Sequence, residues 1–277
     1  MKVWLDGQLL EEKHASVSVT DHGLTVGDGV FETMAVREGV PFALTRHLDR
    51  LARSAEVLGL ALPTADQLRL AVGELLAAEA AGLAGGPARL RITVTGGSAP
   101  YGSERAHGAP TVLITASAGK PWPATADVVV VPWARNENAP TAGAKTTSYA
   151  DNVVALAFAH RQGGSEAIFA NTLGQLCEGT GSNVFVGIGG RLYTPPLTSG
   201  CLAGITRELL LEWTDAEEET LSLAALADAD EAFLASSTRD VQPIRAVDGN
   251  PLPVAPGPLS KAAADAFATM SADRLDP

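Results

Sequence analysis

The sequence predicts a fold of mixed strands and helices in two parts, joined by a short proline-bearing connector. Three observations lead there. At 277 residues the chain has room for two ordinary domains or one large one. With 46% apolar and 19% charged residues, it has the composition of a globular protein that buries about three quarters of its unfolded surface. Short apolar runs and helix-period runs occur on both sides of Lys120-Pro121-Trp122-Pro123, where two prolines stiffen the backbone and block a helix or a central strand. The expected parts are residues 1–117 and 126–277, with 118–125 as linker.

The elements follow in order. Val3-Trp4-Leu5 and Gln8-Leu9-Leu10 flank Asp6-Gly7, a dipeptide that tolerates the positive φ angles of a tight turn, so a hairpin opens the chain. A second hairpin is expected at 30–36 and 40–44 around Arg37-Glu38-Gly39. Thr45 then reads as the N-cap of a helix to about residue 58, with Leu48, Leu51, Ala55 and Leu58 on its buried face. A helix from 64 past 83 is stopped by Gly85-Gly86-Pro87. Strands at 88–95 and 111–117 are joined by a glycine-rich loop, 96–108. The second part is expected to hold a strand at 127–133, a loop through 147, and a helix over about 148–161 ended by Gly163-Gly164. Short strands at 166–171, 183–187 and 191–193 precede a helix at 205–213, and a strand at 231–235 leads through Ser236-Ser237-Thr238 to a last helix at 259–270.

Composition narrows the partners. Twenty basic residues against 32 acidic ones give a net charge of −12 and a pI near 4.8, so the overall field opposes nucleic acid and anionic lipid. Any anion must be held by a local site. Cys177 and Cys201 are neither at metal-ligand spacing nor numerous enough for an oxidised framework, which fits a reducing cytosol. Met1-Lys2-Val3-Trp4-Leu5-Asp6-Gly7 interrupts the apolar stretch a signal peptide needs, and no window approaches the roughly 18 apolar residues of a spanning helix. A soluble, cytoplasmic protein is expected.

Several chemistries fail on spacing. Gly179-Thr180-Gly181 lacks the third glycine of a dinucleotide fingerprint, and Gly119-Lys120 runs into Pro121 where a phosphate loop needs Ser or Thr. No Gly-x-Ser-x-Gly elbow occurs, and the histidines at 14, 22, 47, 107 and 160 never pair at the i, i+4 spacing of a zinc helix. No metal site is expected. Lysine usage is more informative, with only five in the chain. An arginine-favouring base composition explains the scarcity equally well, but Lys145 stands out by position. It sits in Gly143-Ala144-Lys145-Thr146-Thr147, just before a helix whose face Val153, Leu156, Ala157 and His160 is mostly apolar. A lysine beside a core-facing surface has its amine pKa lowered, the condition for a Schiff base with an aldehyde. Cys177-Glu178-Gly179-Thr180-Gly181-Ser182-Asn183 places an acid before an apolar strand, where it is either a solvated turn acid or the partner of a protonated pyridine nitrogen. Gly200-Cys201-Leu202-Ala203-Gly204-Ile205-Thr206-Arg207 leads into a helix, which is either an ordinary start or an anion site.

Taken in order, Arg46-His47-Leu48-Asp49-Arg50, Lys145, Glu178-Gly179-Thr180-Gly181-Ser182-Asn183-Val184-Phe185 and Thr194-Pro195-Pro196-Leu197-Thr198-Ser199-Gly200-Cys201-Leu202-Ala203-Gly204-Ile205-Thr206-Arg207 resemble the class IV aminotransferases. These are fold type IV pyridoxal phosphate enzymes, a family that includes D-amino acid and branched-chain aminotransferases, (R)-amine transaminases and aminodeoxychorismate lyase. The resemblance covers nearly the whole chain. It implies an α/β fold with a smaller N-terminal domain, a short linker and a larger domain with a barrel-like sheet, usually as a homodimer. It further implies that Lys145 forms the Schiff base with pyridoxal 5'-phosphate and moves the substrate proton, and that Glu178 bonds the pyridine nitrogen. Arg50, Gly204, Ile205, Thr206, Ser237 and Thr238 match the phosphate contacts, Leu202 the residue against the ring, and Tyr149 the contact to the ring hydroxyl.

Subgroup features diverge. The Arg-x-His pair with which well-known D-amino acid aminotransferases hold the substrate carboxylate is replaced by Tyr101 and Ser103. Asp21-His22-Gly23 and Gly29-Val30-Phe31-Glu32-Thr33 look like the lyases, yet their arginine near Gly96 is absent. The branched-chain Phe-Glu-Gly motif is also absent, since Thr33 and Ala35 follow Phe31-Glu32. Phe31, Tyr101, Arg105 and Arg239 are the expected substrate contacts, with one arginine, Arg239 by preference, replacing the missing trap. The resemblance implies a transaminase using a D-amino acid or an R-configured amine as donor and a 2-oxo acid as acceptor. The alternatives are 4-amino-4-deoxychorismate lyase, then a branched-chain L-amino acid aminotransferase.

Overall fold

The computed structural model describes residues 1–105 and 108–277; Ala106 and His107, inside the loop expected at 96–108, lie outside the described residues. The chain forms two units, the first made of Met1–Pro121, Ala144–Tyr149 and Leu275–Pro277, the second of Trp122–Gly143 and Ala150–Arg274.

The first unit contains β1 (Lys2–Leu5), β2 (Gln8–Glu11), α1 (His22–Thr25), β3 (Gly29–Arg37), β4 (Val40–Pro41), α2 (Leu44–Leu58), α3 (Ala65–Leu83), β5 (Ala88–Thr95) and β6 (Thr111–Ala118). Its six strands pair antiparallel in the order β2-β1-β6-β5-β3-β4. Strand periodicity of two sends Val30, Met34, Leu90, Ile92, Val94 and Ile114 to one face, where they pack with Leu48, Leu51 and Ala55 of α2 and Leu68 and Leu75 of α3. The apolar stripe expected on α2 is thus its core face. Thr45 is not its N-cap, however. The cap lies two residues earlier, at Ala43 in the left-handed region, and the Thr45 N–H and hydroxyl donate to the Asp276 carboxylate. A carboxylate from the chain's far end thus does the work of a local cap. Thr64 does form the capping box of α3, with Gln67.

The segment Ala144–Tyr149 belongs to this unit because of one free strand edge. The register of β4 reaches only Val36 and Arg37 of β3, which leaves the start of β3 open on that side. There the Phe31 N–H donates to the Lys145 carbonyl at 3.0 Å and the Thr147 N–H to the Gly29 carbonyl at 2.8 Å, around a Val30–Thr146 bridge. Gly29 makes this approach possible, since a Cβ there would lie 2.9 Å from both Thr147 Oγ1 and the Val94 carbonyl oxygen.

The second unit contains β7 (Ala126–Arg135), α4 (Ala150–Arg161), β8 (Glu166–Asn171), β9 (Leu176–Gly179), β10 (Asn183–Ile188), β11 (Arg191–Thr194), α5 (Ile205–Trp213), β12 (Glu217–Glu218), α6 (Ala224–Ala227), β13 (Glu231–Ser236), β14 (Asp240–Val247), β15 (Asn250–Pro251) and α7 (Pro258–Asp273). The sheet runs β12-β11-β10-β13-β14-β7-β8-β9, with β15 added on β14, and curls into a half-barrel. Val128, Ile168, Leu176, Val184, Leu234 and Ile244 fill its core. Two expectations need correction here. On α4 the buried positions are Asn152, Ala155 and Ala159, while Val153 is 64% exposed and Ala157 and His160 are also exposed. The helix packs close to Val129, Val131, Ala167 and Phe169, so alanines rather than valines occupy the contact face. Glu178, expected just before a strand, lies within strand β9. No helix among the described residues is long and apolar enough to cross a membrane.

Candidate active site

In the first unit Lys145 is fixed at both backbone groups. Its N–H donates to Ser54 Oγ on α2 at 3.0 Å, and its carbonyl accepts from Phe31 on β3. The ammonium Nζ stands 4.3 Å from the centroid of the Phe31 ring, a cation–π placement. Tyr149 meets the same ring edge-on at 5.2 Å. A third group converges from β5, where the Arg91 guanidinium carbon lies 3.7 Å from the Phe31 centroid. Phe31, Lys145 and Tyr149 were expected from the sequence. Arg91 was not, and the signal for it was faint: an arginine at an outward position of an alternating strand.

One residue along β3, Glu32 points to the opposite side, into the helix layer. Its carboxylate is fully buried and accepts from Arg50 Nε at 2.8 Å, Arg50 Nη2 at 2.7 Å and His47 Nδ1 at 2.6 Å. Burial alone pushes the Glu32 carboxyl up, but Arg50 and His47 together pull it well below the usual carboxylate range. His47 is pushed down, chiefly by burial and against the pull of Glu32. Spacing of three residues on α2 puts His47 and Arg50 on one face, and the bidentate clasp fixes the Arg50 fork.

In the second unit, Glu178 on β9 receives the Leu202 N–H on Oε2 at 2.9 Å, and its Oε1 lies 3.2 Å from Arg135 Nε. That nitrogen is buried and has no hydrogen-bond acceptor in line among the described residues. Arg135 is held by Asn152 Oδ1 at 3.0 Å and lies over the Phe169 ring. Leu202 also accepts from Asn183 Nδ2 at 2.9 Å, which shapes the turn before α5. Gly204 is the N-cap of α5 and supplies no side-chain cap, so the first helix amides depend on another acceptor. A Cβ at Gly204 would come within 2.0 Å of Asn183 Oδ1, which only glycine avoids. Ile205 and Thr206 follow, both buried. Ser237 and Thr238 form the half-buried turn between β13 and β14.

The two arginines of which one was expected to hold substrate carboxylate both pair with carboxylates of the chain. Arg105 clasps Asp28 through Nε and Nη2 and donates from Nη1 to the Leu58 and Gly59 carbonyls at the end of α2. Arg239 donates to Glu166 Oε2 at 2.6 Å and Gln242 Oε1 at 2.8 Å, with its guanidinium over the Trp122 ring. Glu166 in turn receives the Thr180 N–H. Tyr101 is 78% exposed. Cys177 and Cys201 are both free, and burial pushes their thiols up, Cys201 to about 11, which leaves them inert.

The family model for amino-transferase class IV matches residues 29–247. The chain belongs to the class IV aminotransferases. It is 32% identical to the D-alanine aminotransferase of Bacillus licheniformis, over 94% of each chain, and 31% identical to the aminodeoxychorismate lyase of Bacillus subtilis, over 89% of this chain and 86% of that one. Its fold matches the branched-chain amino acid aminotransferase from Escherichia coli with a TM-score of 0.88 at 27% identity, covering 99% of this chain and 95% of that one. The cofactor of this enzyme is pyridoxal 5'-phosphate. Each unit carries groups of the kinds it needs: the first a lysine suited to its aldehyde and a buried guanidinium suited to a phosphate, the second a carboxylate suited to a protonated ring nitrogen and uncapped helix amides and hydroxyls suited to a dianion.

Proposed function

We propose that this class IV aminotransferase moves an amino group between a D-amino acid, or a related amine of R configuration, and a 2-oxo acid, with Lys145 as its catalytic residue. The observation that carries the catalytic assignment is the fixing of Lys145 by Ser54 and Phe31 with its Nζ over the Phe31 ring. The D-configuration rests on the similarity to a D-alanine aminotransferase along 94% of the chain. When bound, pyridoxal 5'-phosphate supplies the electron sink for the pair released at the substrate α-carbon. Lys145 Nζ would hold the cofactor and would move the proton at the substrate α-carbon. Glu178 keeps the ring nitrogen protonated, and Leu202 and Tyr149 set the ring's face and its hydroxyl. Arg50, Gly204, Ile205, Thr206, Ser237 and Thr238 bind the phosphate, and Glu32 with His47 holds Arg50 in place. The enzyme works as a cytoplasmic homodimer.

The similarity to an aminodeoxychorismate lyase supports a second reading, release of pyruvate and 4-aminobenzoate by the same lysine and cofactor. A half-reaction separates the two. The visible band of the cofactor bonded to Lys145 should move into the near ultraviolet on adding D-alanine or D-glutamate. Bleaching by L-leucine instead would mark a branched-chain enzyme. Formation of 4-aminobenzoate without any half-reaction would mark the lyase.

A further inference from the structure

We infer that Asp276 is a positioning residue for the cofactor phosphate: it holds the first turn of α2 and, through that turn, the clasp of His47, Glu32 and Arg50. This rests on the assignment of Arg50 to the phosphate and adds the residue that keeps Arg50 in place from outside the site.

Helix α2 begins without a cap of its own. Its N-cap residue, Ala43, offers no side-chain acceptor, and its first turn holds no acid, so its leading amides need acceptors from elsewhere. Residues 275–277, which belong to the same unit, supply them. The Leu275 carbonyl accepts the Ala43 N–H at 2.7 Å, and the Asp276 carboxylate accepts both the Thr45 N–H, at 2.8 Å, and the Thr45 hydroxyl. The backbone oxygen of Pro277 accepts from Arg46 Nε at 2.9 Å. A carboxylate at this place also complements the positive end of the helix. Arg69 on α3 ties the arrangement down, with Nη2 donating to Thr45 Oγ1 at 2.7 Å and Nη1 lying 3.8 Å from Asp276 Oδ2.

The turn held in this way is the one that sets His47. The His47 N–H closes it on the Ala43 carbonyl at 3.1 Å, and the ring Nδ1 meets the same Glu32 oxygen, Oε2, that accepts from Arg50 Nη2. A frayed first turn therefore loosens the clasp from the His47 side. Fraying is a property of helix ends, and Ser54, which accepts the Lys145 N–H, stands about two turns beyond His47. Loss of Asp276 should therefore be felt at the phosphate and not at the lysine.

The test uses holoenzyme and follows the two ends of the cofactor separately. Asp276→Ala should shift the phosphorus NMR resonance of the bound cofactor and release the cofactor about fivefold faster on dilution, the factor that loss of a helix cap carries. The visible band of the cofactor bonded to Lys145 should keep its position. Asp276→Asn, which retains an acceptor oxygen for the Thr45 N–H, should restore most of both changes. Arg69→Ala should act in the same direction, more weakly, and serves where Asp276→Ala does not fold. Arg50→Lys should release the cofactor faster still, and adding Asp276→Ala to it should change little further. A wild-type resonance and release rate in Asp276→Ala, or a visible band displaced along with the resonance, overturns the role of Asp276. Wild-type release by Arg50→Lys overturns the assignment of Arg50 to the phosphate instead.

Discussion

Two faces of one strand divide the labour of the first unit. Toward the helices, β3 presents Val30, Glu32 and Met34, all without solvent exposure, and the one charge among them is clasped by Arg50 and His47. Toward the other side it presents Phe31, Thr33 and Ala35, and over Phe31 stand Lys145 and Arg91. A period of two is enough to separate the ion network that holds Arg50 from the face over which Lys145 stands, and a slip of one residue would exchange them. The inner face holds cations by burying and pairing them. The outer face holds them over an aromatic ring.

Breaking the inner face should cost stability. Glu32→Ala leaves Arg50 buried beside a cavity, and chemical denaturation should register a loss of about 3–5 kcal/mol. A loss below 1 kcal/mol would mean that Glu32 is not what holds Arg50. The pH dependence should be the next largest effect. Burial keeps His47 neutral in the folded chain below the ordinary histidine pKa, so the unfolded chain takes up its proton first. Its contribution is complete above about pH 6.5 and is lost as pH falls toward the depressed folded value, with a slope of up to about 1.4 kcal/mol per pH unit. Glu32 acts in the same direction at lower pH, since its folded pKa is also depressed. In His47→Gln the decline between pH 6.5 and 5 should be shallower than in the wild type when followed by urea midpoints; an equal slope would contradict a neutral His47. On the outer face, Thr33→Ala should change stability by less than about 1 kcal/mol and show itself in substrate KM instead. A large drop in melting temperature would place Thr33 with the core.

Most of this was legible in the sequence where the signal is local. The alternation of 88–95, the heptad-like stripe Leu48, Leu51, Ala55 and Leu58, and the Asp6-Gly7 turn each declare their element within a few residues. Lys145, Glu178 and Thr206 were singled out through family motifs. What escaped depends on distant partners. Thr45 looked like a cap because nothing local shows that Asp276 reaches its amide. The valines of α4 looked like its core face because the alanine-lined contact is set by the sheet beneath. Strand β14 was not expected, since Asp240-Val-Gln-Pro-Ile-Arg-Ala-Val mixes proline and charge with its apolar positions. Arg91 is the case with most consequence: alternation says that it faces away from the helices, but only the pairing of β3 with β5 puts it over the ring that Lys145 shares.

The most direct measurement of the central claim is to reduce the holoenzyme with borohydride, digest it, and locate the cofactor mass by peptide sequencing. A single modified peptide carrying Lys145 is expected, with Lys2, Lys13, Lys120 and Lys261 unmodified. Cofactor on another lysine, or on none, would contradict it.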